Sequence, residues 1–375
     1  MSEHPGTGLA LAAGIALGMA VSPVLGPRAA MGQETPLGLS GGVTTVGQWA
    51  SDDRARAEVV SSFDLFVDVP LGPFRLFGYG EASTTPRRQG VSRVIGEANT
   101  DAGTALDRRR KGRVQLSELR LVLPVAADLE THVGLLDATG FIDVSRIAND
   151  ENLFFLGVPF VNNPTIEFPD YALGVALSGA VPGTDHLRIG ATVTSSHGLA
   201  DNPTVSYAQL LDVNDDDKGL FAGAALRWRG ERSRFSLGAW ANSAHHQRLD
   251  DPERTKTSRG VFTVLGFFVG EHALSARAGV TNGSVNVSDG SAGLTYLWTR
   301  RPDAVGVAVG RSFASDAVPG LDDVVQVEAF LRRRLYREIF VTGSVQRVHN
   351  SGFDATGTTV DPGVWVLGLR LSAVF

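Results

Sequence analysis

The stretch GVWVLGLRLSAVF, residues 363–375, governs how the chain is read. Gly363, Trp365, Leu367, Leu369, Leu371, Ala373 and Phe375 occupy every second position, while Arg370 and Ser372 fall between them. A period of two marks a strand with unlike faces, because a helix would scatter the same residues around its circumference. The pattern recurs upstream. Leu187, Ile189, Ala191 and Val193 alternate with Arg188, Gly190, Thr192 and Thr194. Phe235, Leu237, Ala239 and Ala241 alternate with Arg234, Ser236, Trp240 and Asn242, and Val325, Val327, Ala329 and Leu331 with Gln326, Glu328 and Arg332.

Sixteen such segments can be counted, starting near residues 39, 57, 73, 114, 129, 171, 186, 219, 233, 260, 272, 291, 304, 324, 338 and 363. In the fourth, Val114 and Leu116 have opposite parity to Leu119, Leu121 and Leu123, which predicts a bulge. Connections after even-numbered segments are short, and most after odd-numbered ones are long, notably 84–112, 138–169, 196–216, 245–258 and 349–362. Short turns at one rim and long loops at the other are the pattern of an outer-membrane barrel. The expected fold class is therefore an all-β transmembrane antiparallel β-barrel of about sixteen strands, with short periplasmic turns and long external loops.

Composition agrees by exclusion. A hydrophobic fraction of 43% is too high for a disordered chain. The absence of Cys removes disulfide scaffolds, thiolate metal sites and a cysteine nucleophile. A net charge of −6 gives no global footprint for nucleic acid. Residues 5–27 carry no charge, and Ala30-Met31-Gly32 offers a small-x-small cleavage site, so residues 1–32 are expected to be a signal peptide and 33–375 the barrel. The leader departs from the rule in having Glu3 and no basic residue before its apolar run.

Parity also sorts charge and aromatics. Arg75, Arg120, Arg188, Arg227, Arg277 and Arg370 all fall on the polar face, where an arginine avoids the about 2–4 kcal/mol charged against it at the bilayer midplane. With Phe375 at the periplasmic rim, Phe74, Trp228, Phe235, Phe268 and Trp298 are expected to form a lipid-facing girdle there. A terminal Phe closing an apolar strand resembles the signal read by outer-membrane assembly machinery, an expected partner. About 16–18 strands enclose an aqueous passage rather than a packed interior. The third long loop, 138–169, is too apolar for a solvated tip, with Phe141, Ile142, Leu153, Phe154, Phe155, Leu156, Val158 and Phe160. It is expected to fold into the pore, leaving Asp143, Arg146, Asn149, Asp150, Glu151, Asn162 and Asn163 to face the opening.

At this point a family resemblance appears. GLLD at 134–137, Phe141 and Asp143, AND-EN across 148–152, and FVNNPTIEFPD-ALG across 160–174 are similar to the carbohydrate-selective outer-membrane porin family, OprB type. The resemblance is dense over these residues and diffuse elsewhere. It implies a sixteen-stranded barrel passing monosaccharides by facilitated diffusion, with arginines and acids at a constriction made by inward loops. The wall chemistry suits such solutes: guanidinium donors and carboxylate acceptors can replace water on hydroxyls. Inward Arg75, Glu81, Glu118, Arg120, Glu130, Arg188, Arg227 and Arg277 supply both, and Trp240 could offer a ring to a sugar's C–H face. A porin of the same architecture for small anions such as phosphate, or for general diffusion, is the alternative.

Other signals are weaker. The 84–112 loop carries Arg87, Arg88, Arg93, Arg108, Arg109, Arg110 and Lys111, a basic cluster expected at the outer rim, where it could steer anions, pair with lipopolysaccharide phosphates or simply be solvated. The acidic run 212–217 lacks the Gly and bidentate Glu of a calcium loop, so no metal is expected. No cofactor or hydrolase motif appears, and Ser195 or Ser196 with His197 is the only close pair on which a barrel enzyme could rest. Expected partners are outer-membrane lipid and lipopolysaccharide, small sugars and, among the assemblies open to porins, a homotrimer; nucleic acid is not among them.

Overall fold

The computed structural model describes residues 37–200, 204–213, 218–351 and 363–375. The expected signal peptide and most of the acidic 212–217 run lie outside the described residues. The strands are β1 (Gly38–Ala50), β2 (Glu58–Leu71), β3 (Phe74–Ser83), β4 (Val114–Ala126), β5 (Leu129–Leu136), β6 (Ala172–Ala180), β7 (Leu187–Ser195) and β8 (Leu220–Arg229). They continue as β9 (Ser233–Gln247), β10 (Thr255–Val269), β11 (His272–Thr281), β12 (Ser288–Arg300), β13 (Asp303–Ala314), β14 (Val324–Tyr336), β15 (Ile339–His349) and β16 (Val364–Val374). Each pairs antiparallel with its sequence neighbours, and β1 closes on β16 through Gly42↔Val374 to Ala50↔Val366. Closure leaves no free edge, which is what a bilayer demands of a sheet.

The parity reading holds along β16. Leu367, Leu369 and Leu371 are 51%, 62% and 48% exposed on the outside, whereas Arg370 and Ser372 are buried inside. Leu187↔Trp228↔Phe235 share the exterior of β7, β8 and β9, and Phe74 joins them at the short-turn rim. Trp298 donates its indole N–H to Glu271 at 3.1 Å on the same rim. Phe268 does not belong to this girdle. The β10–β11 register pairs Phe267 with Leu274, which puts Phe267 on the lipid face and turns Phe268 into the lumen. Two adjacent phenylalanines carry no parity of their own; the neighbouring strand assigns it.

The predicted bulge lies in β4, where Tyr79↔Glu118 is followed by Gly80↔Leu116, so Ser117 is the extra residue. The Tyr207 hydroxyl donates to the Leu116 carbonyl at 2.7 Å, and the Leu116 amide donates back at 3.0 Å. The connection expected at 245–258 is shorter, because β9 and β10 extend beyond the period-two core and leave only residues 248–254 between them.

Two long loops enter the barrel. Residues 137–171, with the short helices α2 (Thr139–Ile142) and α3 (Val158–Val161), fold inward as expected. Phe141 and Ile142 pack with Phe221, Trp240 and Phe262, while Phe155 and Phe160 pack with Leu297, Ala304, Ala308 and Phe330. The second is residues 84–113, which hold the short helix α1 (Val91–Val94). Val91, Ile95 and Ala98 sit against Ala50, Val348, Val364 and Val366, so much of a segment read as an outer-rim loop lies within the wall. Its apolar members, interspersed with arginines in the sequence, drive this burial.

The exterior belt generates one prediction. Leu369→Arg places a guanidinium opposite acyl chains and should destabilise the vesicle-embedded barrel by about 2–4 kcal/mol, read as a lowered urea midpoint. An unshifted midpoint would mean that this face does not meet lipid.

Candidate functional site

The site grows from a problem of the inward loop. Its main chain has no ladder partner, yet buried backbone groups must be hydrogen-bonded. Inward arginines supply the donors. Arg227 donates to the Phe141 carbonyl at 2.9 Å, Arg277 to Val161 at 3.0 Å, Arg332 to Leu153 at 2.9 Å and Arg370 to Phe154 at 2.7 Å, with a second, very short bond from Arg370 to Glu151. The Glu328 carboxylate takes the complementary role, accepting from the Leu156 and Gly157 amides at 3.0 and 2.8 Å. Small wall residues let the loop approach. A Cβ at Gly190 would overlap the Phe141 carbonyl and Arg227, and one at Gly279 would overlap the Thr165 hydroxyl.

The seven loop residues singled out from sequence divide accordingly. Asp143 is fully buried, ion-paired to Arg277 at 3.3 Å, and accepts from the Asn163 amide at 2.8 Å. Asn149 bonds Arg277 at 3.0 Å and Val161 at 2.9 Å, and its amide also reaches Asn162 at 3.4 Å. Asn163 accepts from Thr165 at 2.7 Å and Ser291 at 3.1 Å. These four hold the loop together and to β11 and β12; Asp143 and Asn163 do not face the opening. Arg146 is exposed to the lumen over the Phe268 ring, 5.1 Å from its centroid, and Asp150 and Glu151 are half-buried.

The wall residues divide in the same way. Arg75 bridges Asp68 at 2.6 Å and Glu130 at 3.1 Å, and Arg75 and Glu130 retain 39% and 38% side-chain exposure inside a closed barrel. Arg120 pairs with Glu118 and lies over Phe77, 4.0 Å from the ring centre. Glu81 is buried and accepts from Ser117. Arg188 faces the lumen without an ion pair among the described residues. Trp240 is not a platform: it is 4% exposed, its ring is stacked on Phe221, and it belongs to the apolar cluster under α2. Arg277 is likewise consumed by the loop. The Ser195 hydroxyl donates to the His197 main-chain carbonyl at 3.1 Å rather than to an imidazole.

Sequence reasoning missed the second loop's share of the site. Gln48 and Gln346 donate to the Ala98 carbonyl at 3.0 and 2.9 Å, Gln326 donates to Glu97 at 3.0 Å, and Ser62 donates to Asp101 at 2.9 Å. Three glutamines on the polar parity of β1, β14 and β15 were the available signal. The Thr100 amide donates to Leu156 at 3.0 Å, so the two loops are joined. Where they meet, Asp101 is pushed up to about 6 by burial, and Glu151 to about 8 by burial and by repulsion from Asp101, Asp150 and Asp64.

A closed sixteen-stranded barrel with an apolar belt, an inward loop and charged residues wetted inside it defines the porin class of fold. Comparison with solved structures agrees. Pseudomonas putida OprB superposes with a TM-score of 0.67 at 13% identity, covering 90% of this chain and 93% of that one. Salmonella typhi OmpF, solved with daunomycin, gives 0.61 at 10% identity over 90% and 97%. A mutant porin from Rh. blastica gives 0.53 at 12% identity over 90% and 100%. At such identities the likeness is one of fold. No family model and no curated relative matches the sequence. The barrel is a multi-pass β-barrel of the bacterial outer membrane.

Two predictions follow from the loop's anchorage. Arg277→Ala leaves the Asp143 carboxyl buried without its partner and should lower stability by about 3–5 kcal/mol. It should also free the loop, giving a larger and noisier single-channel conductance; a quiet, unchanged conductance would show that the loop does not narrow the passage. The second concerns pH. Folded Glu151 keeps a proton that the unfolded chain releases near 4.5, so its contribution to stability falls as pH rises from about 4.5 to about 8. Above pH 8 its charge joins those of Asp64, Asp101 and Asp150, and reversal potentials in a KCl gradient should move toward cation selectivity. Glu151→Gln should remove that movement, and its persistence in the variant would assign it elsewhere.

Proposed function

We propose that the chain is a passive outer-membrane porin through which small carbohydrates diffuse. One observation carries the channel reading: Arg75 and Glu130 face inward in a closed barrel yet are over one-third accessible, so water reaches the lumen beneath the loop. Mixed guanidinium and carboxylate groups suit a solute that exchanges its hydration for many weak hydrogen bonds, and weakness is required for release. The carbohydrate assignment rests on the likeness of residues 134–174 to the carbohydrate-selective family and on the fold likeness to OprB. Arg75, Arg120, Arg146, Asp150, Glu118, Glu130 and Glu151 are the residues proposed to meet the solute. Lipid and lipopolysaccharide around the belt, recognition of Phe375 during assembly, and a homotrimer belong to the same proposal.

Liposome swelling tests it. Vesicles holding the purified protein should swell in glucose and in other monosaccharides, faster than in neutral solutes of equal size without hydroxyls. Swelling in phosphate but not in sugars would replace the carbohydrate reading with the anion one.

A further inference from the structure

The short-turn mouth of the barrel concentrates positive charge on one side. Arg188 lies directly opposite Arg227 in the β7–β8 register, and Arg229 directly opposite Arg234 in the β8–β9 register. Leu187, Trp228 and Phe235 occupy the intervening lipid-facing positions, so all four arginines have inward parity. Arg146 comes down to them from the loop, and both it and Arg234 stand over Phe268, 5.1 and 5.5 Å from the ring centre. Like charges directly opposite on neighbouring strands repel, and Arg234 is opposed by Arg229, Arg146 and Arg188 together. Among the described residues none of the five is ion-paired, and only Arg227 has a hydrogen-bond acceptor, the Phe141 carbonyl. Arg75 and Arg120, on β3 and β4, each have an acid. Between the five lies a cavity of about 140 Å³.

Two neighbouring like-charge pairs repel across the sheet, and an anion in the space they share would relieve that repulsion. We propose that this mouth is an anion subsite, and that the solute it receives is an acidic sugar whose carboxylate or phosphate oxygens take bidentate guanidinium donors. The hydroxylated remainder of such a solute lies toward the mixed charges of the wall around Arg75 and Glu130. This inference deepens the channel reading and rests on it.

The test uses the purified full-length protein in planar bilayers at about 0.1 M salt, where the screening length is about 10 Å and the arginines still act as a group. Glucose, gluconate and glucose 6-phosphate are added to both sides and the interruptions of current are measured. Both acids should half-block at concentrations about tenfold or more below glucose, the scale of one or two charge-assisted hydrogen bonds. Arg188→Gln and Arg234→Gln should each raise the acids' half-blocking concentration by about tenfold while leaving that of glucose unchanged. Among the described residues neither guanidinium makes a hydrogen bond or an ion pair, so Arg188→Gln leaves the wall intact and Arg234→Gln gives up only the stacking over Phe268. Arg333→Gln, on the lipid side of the same rim, should change nothing. Block by glucose 6-phosphate alone would narrow the ligand to phosphate esters and uphold the subsite. Equal block by glucose and the acids, or variants that behave like the parent, would overturn the subsite in a protein that still conducts. A protein that passes no current would overturn the channel reading and the subsite with it.

Discussion

Everything inside the barrel depends on arginine guanidiniums reaching the main-chain carbonyls of a loop that has no sheet partner. A strand satisfies its backbone by pairing, and a helix by its own turns. Residues 137–171 have only two short helices, and the rest of their backbone must find donors and acceptors on the wall. Arginine suits the task because its planar fork carries five donors and stays charged. Arg370 holds two carbonyls at once, Arg277 holds a carbonyl, an amide oxygen and a carboxylate, and Glu328 answers from the acceptor side. The apolar loop residues supply the burial energy, and the arginines set where the loop stops.

Inward arginines therefore have two fates. Where loop backbone covers them, as at Arg277, Arg332 and Arg370, they are structural and closed to solutes. Where it does not, as at Arg75, Arg188 and Arg229, they remain wet. Covalent position does not separate the two groups, since all lie on one parity of similar strands. The path of the loop separates them, and the glycines that let it approach, Gly190 and Gly279, are as much part of the site's geometry as the charges.

The reach of sequence reasoning can be judged from particular residues. Alternation placed β16, β7 and β14 with their lipid faces right, and the parity slip at Leu116 located the bulge, because side-chain direction in a strand is set by the residue's own position in the pleat. Phe268 was misplaced, since an F–F pair has no parity until β11 provides a register. Trp240 looked like a sugar platform because it is inward; Phe221, from the next strand, covers it. The second inward loop was obscured by its arginines, although Val91, Ile95 and Ala98 are what bury it.

Period two along the chain was sufficient to specify a barrel, its strand number and, outside the Phe267-Phe268 pair of β10, which side of a strand meets lipid, because those properties follow from contacts between a residue and its immediate surroundings. The identity of the water-facing residues was not written there. It follows from pairs such as Asp143 with Arg277 and Phe154 with Arg370, brought together from distant parts of the chain only when the loop folds across the lumen. Whether a guanidinium is an anchor or a ligand depends on which backbone lies over it, and that is a property of the closed barrel.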